Sequence, residues 1–268
     1  MKVSIHRALI LIATLIASSA GAQDLKFQNL NREDFEKVVR ELSANFMHTS
    51  VSGAGTLGSI FGFELGVLGG VTRSSEVEKL AREVDPEAEA AHVPHGALFG
   101  VLTVPAGLTV ETALIPKVGS KEFKFNLLSL AVKWTPTELL FDWPLSLAIE
   151  GSVSKANLEF EQTLSGVATN FDYGSTVTAF TVFVSKNFAI IEPYAGLGIV
   201  SGKGNLDVEG STTVFDATYT QAQSASEKRS SAVWMLGTEV KLLVLKLGLE
   251  YARLMDTSRY TGKVAFYF

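Results

Sequence analysis

Along most of this chain bulky apolar residues fall at every second position. Leu145, Leu147, Ile149 and Val153 alternate with Ser146, Ala148, Glu150 and Ser152, and Leu245, Leu247, Leu249 and Tyr251 alternate with Lys246, Gly248 and Glu250. A period of two is the signature of β-strands with one apolar face. It predicts ten strands, at 58–72, 96–105, 108–117, 123–134, 144–155, 175–186, 190–202, 229–242, 244–255 and 259–268. Most are long enough for a tilted strand to cross a bilayer. The faces also divide unusually: one carries large apolar side chains, the other Gly, Ala, Ser, Glu and Lys. A water-soluble barrel would do the reverse, filling its inside with bulk and putting charge outside. The connections divide as well. Those at 73–95, 118–122, 156–174, 203–228 and 256–258 share one end, while 106–107, 135–143, 187–189 and Leu243 share the other and are mostly shorter. The pattern predicts an all-β protein, a closed antiparallel transmembrane barrel of about ten strands with both ends of the strand set on the short-turn side. Aromatic residues near strand ends suit interface girdles: Trp134, Phe141, Trp143, Phe188 and Phe268 at one rim, Phe123, Tyr173, Trp234, Tyr251 and Tyr260 at the other.

Two segments depart from the period. Residues 1–22 join a short basic start (Lys2, Arg7) to an apolar run and end in Ala20-Gly21-Ala22, the form of a cleaved export signal. Residues 23–57 contain a predicted helix, Asn31 to Asn45, with Phe35, Val38, Val39, Leu42 and Phe46 at helical spacing and Asn31 as its cap. It lies either inside the barrel as a plug, threaded by the Gly-rich run 51–58, or across the periplasmic mouth. The barrel is then 58–268. A second short helix is expected in the first long connection, with Ser75 and Glu78 as a capping box, Val77, Leu80, Ala81 and Val84 as its stripe and Pro86 as its end. The stretch 206–229, rich in Ser, Thr, Ala and Gln, reads as a solvated loop.

Composition narrows the classes. The 268 residues include no Cys, which excludes a disulfide framework and thiol chemistry, and the net charge of −5 argues against nucleic acid. The same alternation turns Glu64, Glu111, Glu150, Glu239 and Glu250, with Lys133, Lys241, Lys246 and Lys263, towards the lumen. Unpaired charges there would be costly, so they either form a salt-bridged filling or line a narrow polar pore. On the same facing, Leu247→Arg should disturb the lipid side and Gly248→Ser should be far milder. His92-Val-Pro-His95 is too extended, and too far from a carboxylate, to make a metal pair. No catalytic set, metal site or cofactor motif stands out.

The last strand, 258–268, ends in Phe268 with Phe266, Val264 and Tyr260 at alternating positions before it. In this it resembles the terminal strand of bacterial outer-membrane β-barrel proteins. The resemblance implies an outer-membrane location, lipid as neighbour, and handling by periplasmic chaperones and the barrel-assembly machinery through Tyr260, Val264, Phe266 and Phe268. A narrow channel or passive uptake protein for small solutes is the expected function; a structural or adhesive barrel and a membrane-embedded hydrolase are the alternatives.

Overall fold

A computed structural model describes residues 32–58, 60–84, 91–120, 123–137, 143–164, 167–214 and 217–268. The expected export signal at 1–22, the Asn31 cap and the helix stop at Pro86 lie outside the described residues. Ten strands form one closed antiparallel barrel in sequence order: β1 (Gly62–Arg73), β2 (His92–Val104), β3 (Leu108–Gly119), β4 (Phe123–Trp134), β5 (Ser146–Leu164), β6 (Val167–Ser185), β7 (Ile191–Val214), β8 (Ala217–Leu242), β9 (Leu245–Leu254) and β10 (Thr257–Tyr267). β10 closes on β1 from Glu64↔Tyr267 to Thr72↔Arg259. Phe63 and Phe268 add two backbone hydrogen bonds of 2.9 and 2.8 Å to that seam. Phe266, Val264 and Tyr260 project outwards into a belt shared with Leu65, Val67, Leu130, Val182, Leu197 and Leu236. Because every backbone group in such a wall bonds to a neighbouring strand, the barrel can stand in lipid. Among the described residues no helix is long and apolar enough to cross a membrane.

Four strands are longer than their apolar pattern predicts. β5 and β6 have 19 residues each, β7 has 24 and β8 has 26. The described parts of the segments expected as loops, 156–164, 167–174, 203–214 and 217–228, continue the barrel as paired strands. The polarity of the two faces inverts there. Nearer the short-turn end Ile149, Phe180, Leu197 and Ile199 face out and Glu150, Thr181 and Glu192 face in. Beyond that, Leu158, Phe160, Phe171, Tyr173, Leu206 and Val208 are buried inside, while Asp172, Asp207 and Glu209 are exposed. The inversion marks the change from lipid to water outside the wall. Tyr173, and Phe123 with it, therefore belong to the interior and not to the interface girdle. Trp234, Tyr251 and Tyr260 do form an outward aromatic cluster, with ring centroids 5.3 and 5.0 Å apart in sequence.

The short-turn end has a tight hairpin at Leu243-Val244, with Leu242 paired to Leu245. Leu243 holds φ at +57°, a region that L-residues with side chains seldom adopt, and its side chain is fully exposed. Leu247→Arg on the adjacent lipid face is expected to destabilise the barrel by about 2–4 kcal/mol, read as a lowered urea midpoint in lipid vesicles. Gly248→Ser is not its mild counterpart, because a Cβ at Gly248 would sit 2.9 Å from Val51 Cγ1 and 3.2 Å from Lys263 Cε. Gly151, whose added Cβ would meet nothing within 4 Å, is the neutral control as Gly151→Ala.

Candidate functional site: a plugged lumen and an apolar cavity

The predicted N-terminal helix is α1 (Arg32–Phe46), and it lies inside the barrel. Its apolar stripe explains the placement. Phe35, Val39 and Leu42 are buried against the apolar inner wall of the long hairpins, Phe35 edge-on to Tyr173. Gly202 and Gly204 of β7 leave the room: a Cβ at either would overlap Ser43 or Val39. Glu36 pairs with Arg229, and Arg40 with Asp256 at 3.5 Å, at the long-hairpin end. The helix ends under Arg259, whose Nη1 donates to the carbonyls of Ala44 at 3.3 Å and Met47 at 2.7 Å. A cation at that position complements the helix dipole and satisfies its terminal acceptors.

From Met47 to Gly58 the chain runs down the lumen as an extended strap. No regular partner strand exists for it, so side chains of the wall take up its polar groups. Lys133 Nζ donates to Ser52 Oγ at 2.8 Å and to Gly53 O at 3.3 Å; the amides of Gly53, Ala54 and Gly55 donate to Glu239, Ser185 and Glu192 at 3.2, 3.0 and 3.2 Å. His48 bridges Ser129 (2.8 Å) and Glu111 (3.1 Å). Thr49 donates to Glu250 at 2.9 Å.

All nine charged residues picked from the alternation point into this space, Lys241 only partly buried and the others almost wholly so. Eight of them fall into three groups. Glu64, Glu239, Lys246 and Lys263 form a four-membered cluster with contacts of 2.6–3.5 Å. Lys133 joins Glu111 at 2.6 Å and Glu150 at 3.5 Å. Glu250 meets Arg259 at 3.4 Å and accepts from Tyr194 at 2.9 Å. Lys241 instead pairs with Glu192 at 2.9 Å. Sequence reasoning passed over Glu192, Arg259 and His48. The first two have the inward parity of their strands but sit near strand ends, where the alternation is short. His48 lies in a segment with no period at all. A void of about 10 Å³ beside His48–Ser52 has room for little more than one water.

Above the strap the lumen is open on one side. α1 occupies the side of the long strands, and a cavity of about 610 Å³ separates it from β2, β3 and β4. Phe46, Phe125, Leu127, Ala97, Ala113 and Ile115 are among the residues around it. The Phe46 and Phe125 rings meet at its edge, tilted by 31° with centroids 5.6 Å apart. The size and lining suit an apolar small molecule. Among the described residues, no cluster of three or more His, Asp or Glu could hold a metal. His95 points at Thr261 (3.0 Å) and Thr72 (3.4 Å), while His92 is exposed at the rim.

A second helix, α2 (Ser75–Val84), closes over the cavity and presents buried Val77 to it. It starts one residue earlier than the expected capping box requires, since Ser74 O accepts from Glu78 N at 2.9 Å. The cap comes instead from α1: Glu41 accepts the amides of Glu76 and Val77 at 2.9 Å each. Burial pushes the Glu41 carboxyl above the usual 4.5, although those two amides pull it down. The clasp itself is made with the ionised form, each carboxylate oxygen taking one amide. Amide exchange at Glu76 and Val77, corrected for intrinsic rate, is the measure of the clasp. Glu41→Ala should speed it fivefold or so, about 1 kcal/mol of lost cap, and Glu41→Gln, which keeps one acceptor of the two, should speed it less.

Residues 27–268 match the profile of a family described as a family of unknown function (DUF6588). The chain belongs to that family. No curated protein matches the sequence. Three solved structures illustrate what this DUF6588 member is similar to. The attachment invasion locus protein Ail of Yersinia pestis is 13% identical, with 78% of this chain and 97% of that one covered and a TM-score of 0.35. The translocator domain of the autotransporter NalP from Neisseria meningitidis is 10% identical, covering 96% and 97%, with a TM-score of 0.37. The outer membrane protease OmpT of Escherichia coli is 8% identical, covering 81% and 100%, with a TM-score of 0.41. These neighbours are bacterial outer-membrane β-barrels.

Proposed function

We propose that this DUF6588 protein binds a small apolar molecule at the outer surface of a bacterial outer membrane and passes it inward when its strap moves. The long hairpins then face the exterior, and the strand ending in Phe268 is the one the assembly machinery reads. One observation carries the proposal: the cavity of about 610 Å³ between α1 and the β2–β4 wall, apolar and left open above the charged part of the lumen. A filling whose sole task was rigidity would leave no such space, because packed interiors hold few voids larger than a water. The strap explains why uptake would be selective: Met47–Gly58 closes the path below the cavity, so only a bound ligand that displaces it can pass.

The test is binding of N-phenylnaphthylamine, whose fluorescence rises in apolar surroundings, to the protein in lipid nanodiscs. Saturable binding is expected, and Ala97→Phe, which fills the cavity from β2, should weaken it at least tenfold. Equal binding by both proteins would remove the cavity as the site.

A further inference from the structure

The cavity is apolar, but the polar groups around it are of one kind. Among its described lining residues there is no Asp or Glu, whereas Arg259 and the histidines His48, His92 and His95 are all present. The carboxylates nearest to them are held elsewhere. Glu111 lies behind His48, and Glu250 is shared by Arg259, Thr49 and Tyr194. The wall next to the ligand space therefore offers donors and the Arg259 guanidinium, with no carboxylate on the lining itself.

Two donors there are free, and the hydrogen-bond chain identifies one of them. Asn45 Nδ2 donates to the carbonyl of Val93 at 3.0 Å, which fixes the amide's orientation, and also to Thr72 Oγ1 at 3.1 Å. In the Nε2–H tautomer of His95, Thr72 Oγ1 donates to Nδ1, 3.4 Å away. With Nδ1 accepting, the neutral ring carries its proton on Nε2 and donates to Thr261 Oγ1 at 3.0 Å. Thr261 is then left with its own O–H unspent, and it lines the cavity. The second donor is Arg259. Its Nη1 and Nη2 are engaged by α1 and Glu250, but Nε, buried with the residue only 1% exposed, has no partner. A buried N–H without an acceptor is uncommon enough to point to a missing one.

We infer that the cavity takes an apolar carboxylic acid, its hydrocarbon part among Phe46, Phe125 and Leu127 and its carboxylate between Thr261 Oγ1 and Arg259 Nε; this deepens the binding function proposed above and rests on it. The carboxylate completes the unpartnered guanidinium edge and receives the Thr261 proton, charge-assisted contacts that an ester, alcohol or amine of equal length cannot reproduce. The guanidinium, although paired with Glu250 through Nη2, has no acceptor to offer an ammonium head.

The experiment uses the full chain in nanodiscs with pyrenedodecanoic acid and its methyl ester as probes and dodecylamine as competitor. The acid is expected to bind at least tenfold more tightly than the ester, with dodecylamine a poor competitor. Thr261→Val, isosteric and within β10, should weaken the acid far more than the ester and so erase most of that preference, and Arg259→Lys, which keeps the charge but loses Nε–H, should do so independently. Equal affinity for acid and ester in the unaltered protein, or tighter binding of the amine, overturns the carboxylate assignment and leaves the apolar site standing. Failure of both probes to bind overturns the site itself. A preference for the acid that survives both substitutions places the head group elsewhere and overturns the assignment to Thr261 and Arg259.

Discussion

Lys263→Met is expected to destabilise the barrel by about 3–5 kcal/mol, the usual penalty for leaving one partner of a buried ion pair alone. Lys263 Nζ lies 2.8 Å from Glu64 and 2.6 Å from Glu239, and Lys246 lies 2.7 and 3.5 Å from the same two carboxylates. All four side chains are almost completely withdrawn from solvent. With Lys263 gone, two carboxylates share a single ammonium in a lumen the strap keeps nearly dry, and Glu239 also has to go on accepting the Gly53 amide. The measurement is the urea midpoint in lipid vesicles, followed by tryptophan fluorescence. Lys263→Met combined with Glu64→Gln restores one acid for one base and should regain most of the loss. The contrast between the two variants is the informative result, since a deleted side chain alone would destabilise both alike. A Lys263→Met midpoint close to that of the unaltered protein would mean water reaches the cluster freely.

The strands and the inward charges were legible because lipid outside and charge inside impose opposite demands on successive residues. Lys133 between Val132 and Trp134, or Glu239 between Thr238 and Val240, could occupy only one face. Where lipid gives way to water that opposition ends. Asn157, Glu159, Asp172 and Asp207 face out and Leu158, Phe160, Phe171 and Leu206 face in, still with period two but with the sign reversed. Scanned for lipid-facing bulk alone, the extensions of β5–β8 pass for loops. Their inner residues were nevertheless in view, including the stacked Phe160–Phe171 pair at 4.7 Å. The cavity was less legible. It exists because α1 leans mainly on the long strands β6–β8 and reaches the shorter β2–β4 only through Asn45 and Phe46, a consequence of unequal strand lengths that no local pattern carries. The strap was hidden for a different reason: its partners are scattered from Thr103 to Glu250, and its backbone bonds to side chains instead of a neighbouring strand.

Removing residues 27–58 is expected to turn a protein that does not conduct in planar bilayers into one that gives stable current steps. The barrel wall makes its own strand-to-strand hydrogen bonds from β1 to β10 and takes none from the strap, so its closure survives the deletion while its lumen fills with water. What remains on the inner wall is a ring of charges without its covering: Glu64, Glu111, Glu150, Glu192, Glu239 and Glu250 against Lys133, Lys241, Lys246, Lys263 and Arg259. The acids exceed the bases by one, so the opened pore should favour cations weakly, and raising the salt concentration should abolish the preference by screening. Gly248→Leu approaches the same state without a deletion. The Cβ position is already only 2.9 Å from Val51 Cγ1, and a leucine there drives the strap off the β9 wall at the place where Val51 turns with φ at +50°. It should conduct intermittently, as the strap leaves and returns, with the same cation preference in its open steps. Silence from both variants, in protein that still shows the heat-dependent gel shift of a folded barrel, would mean that the strap is not what closes the lumen.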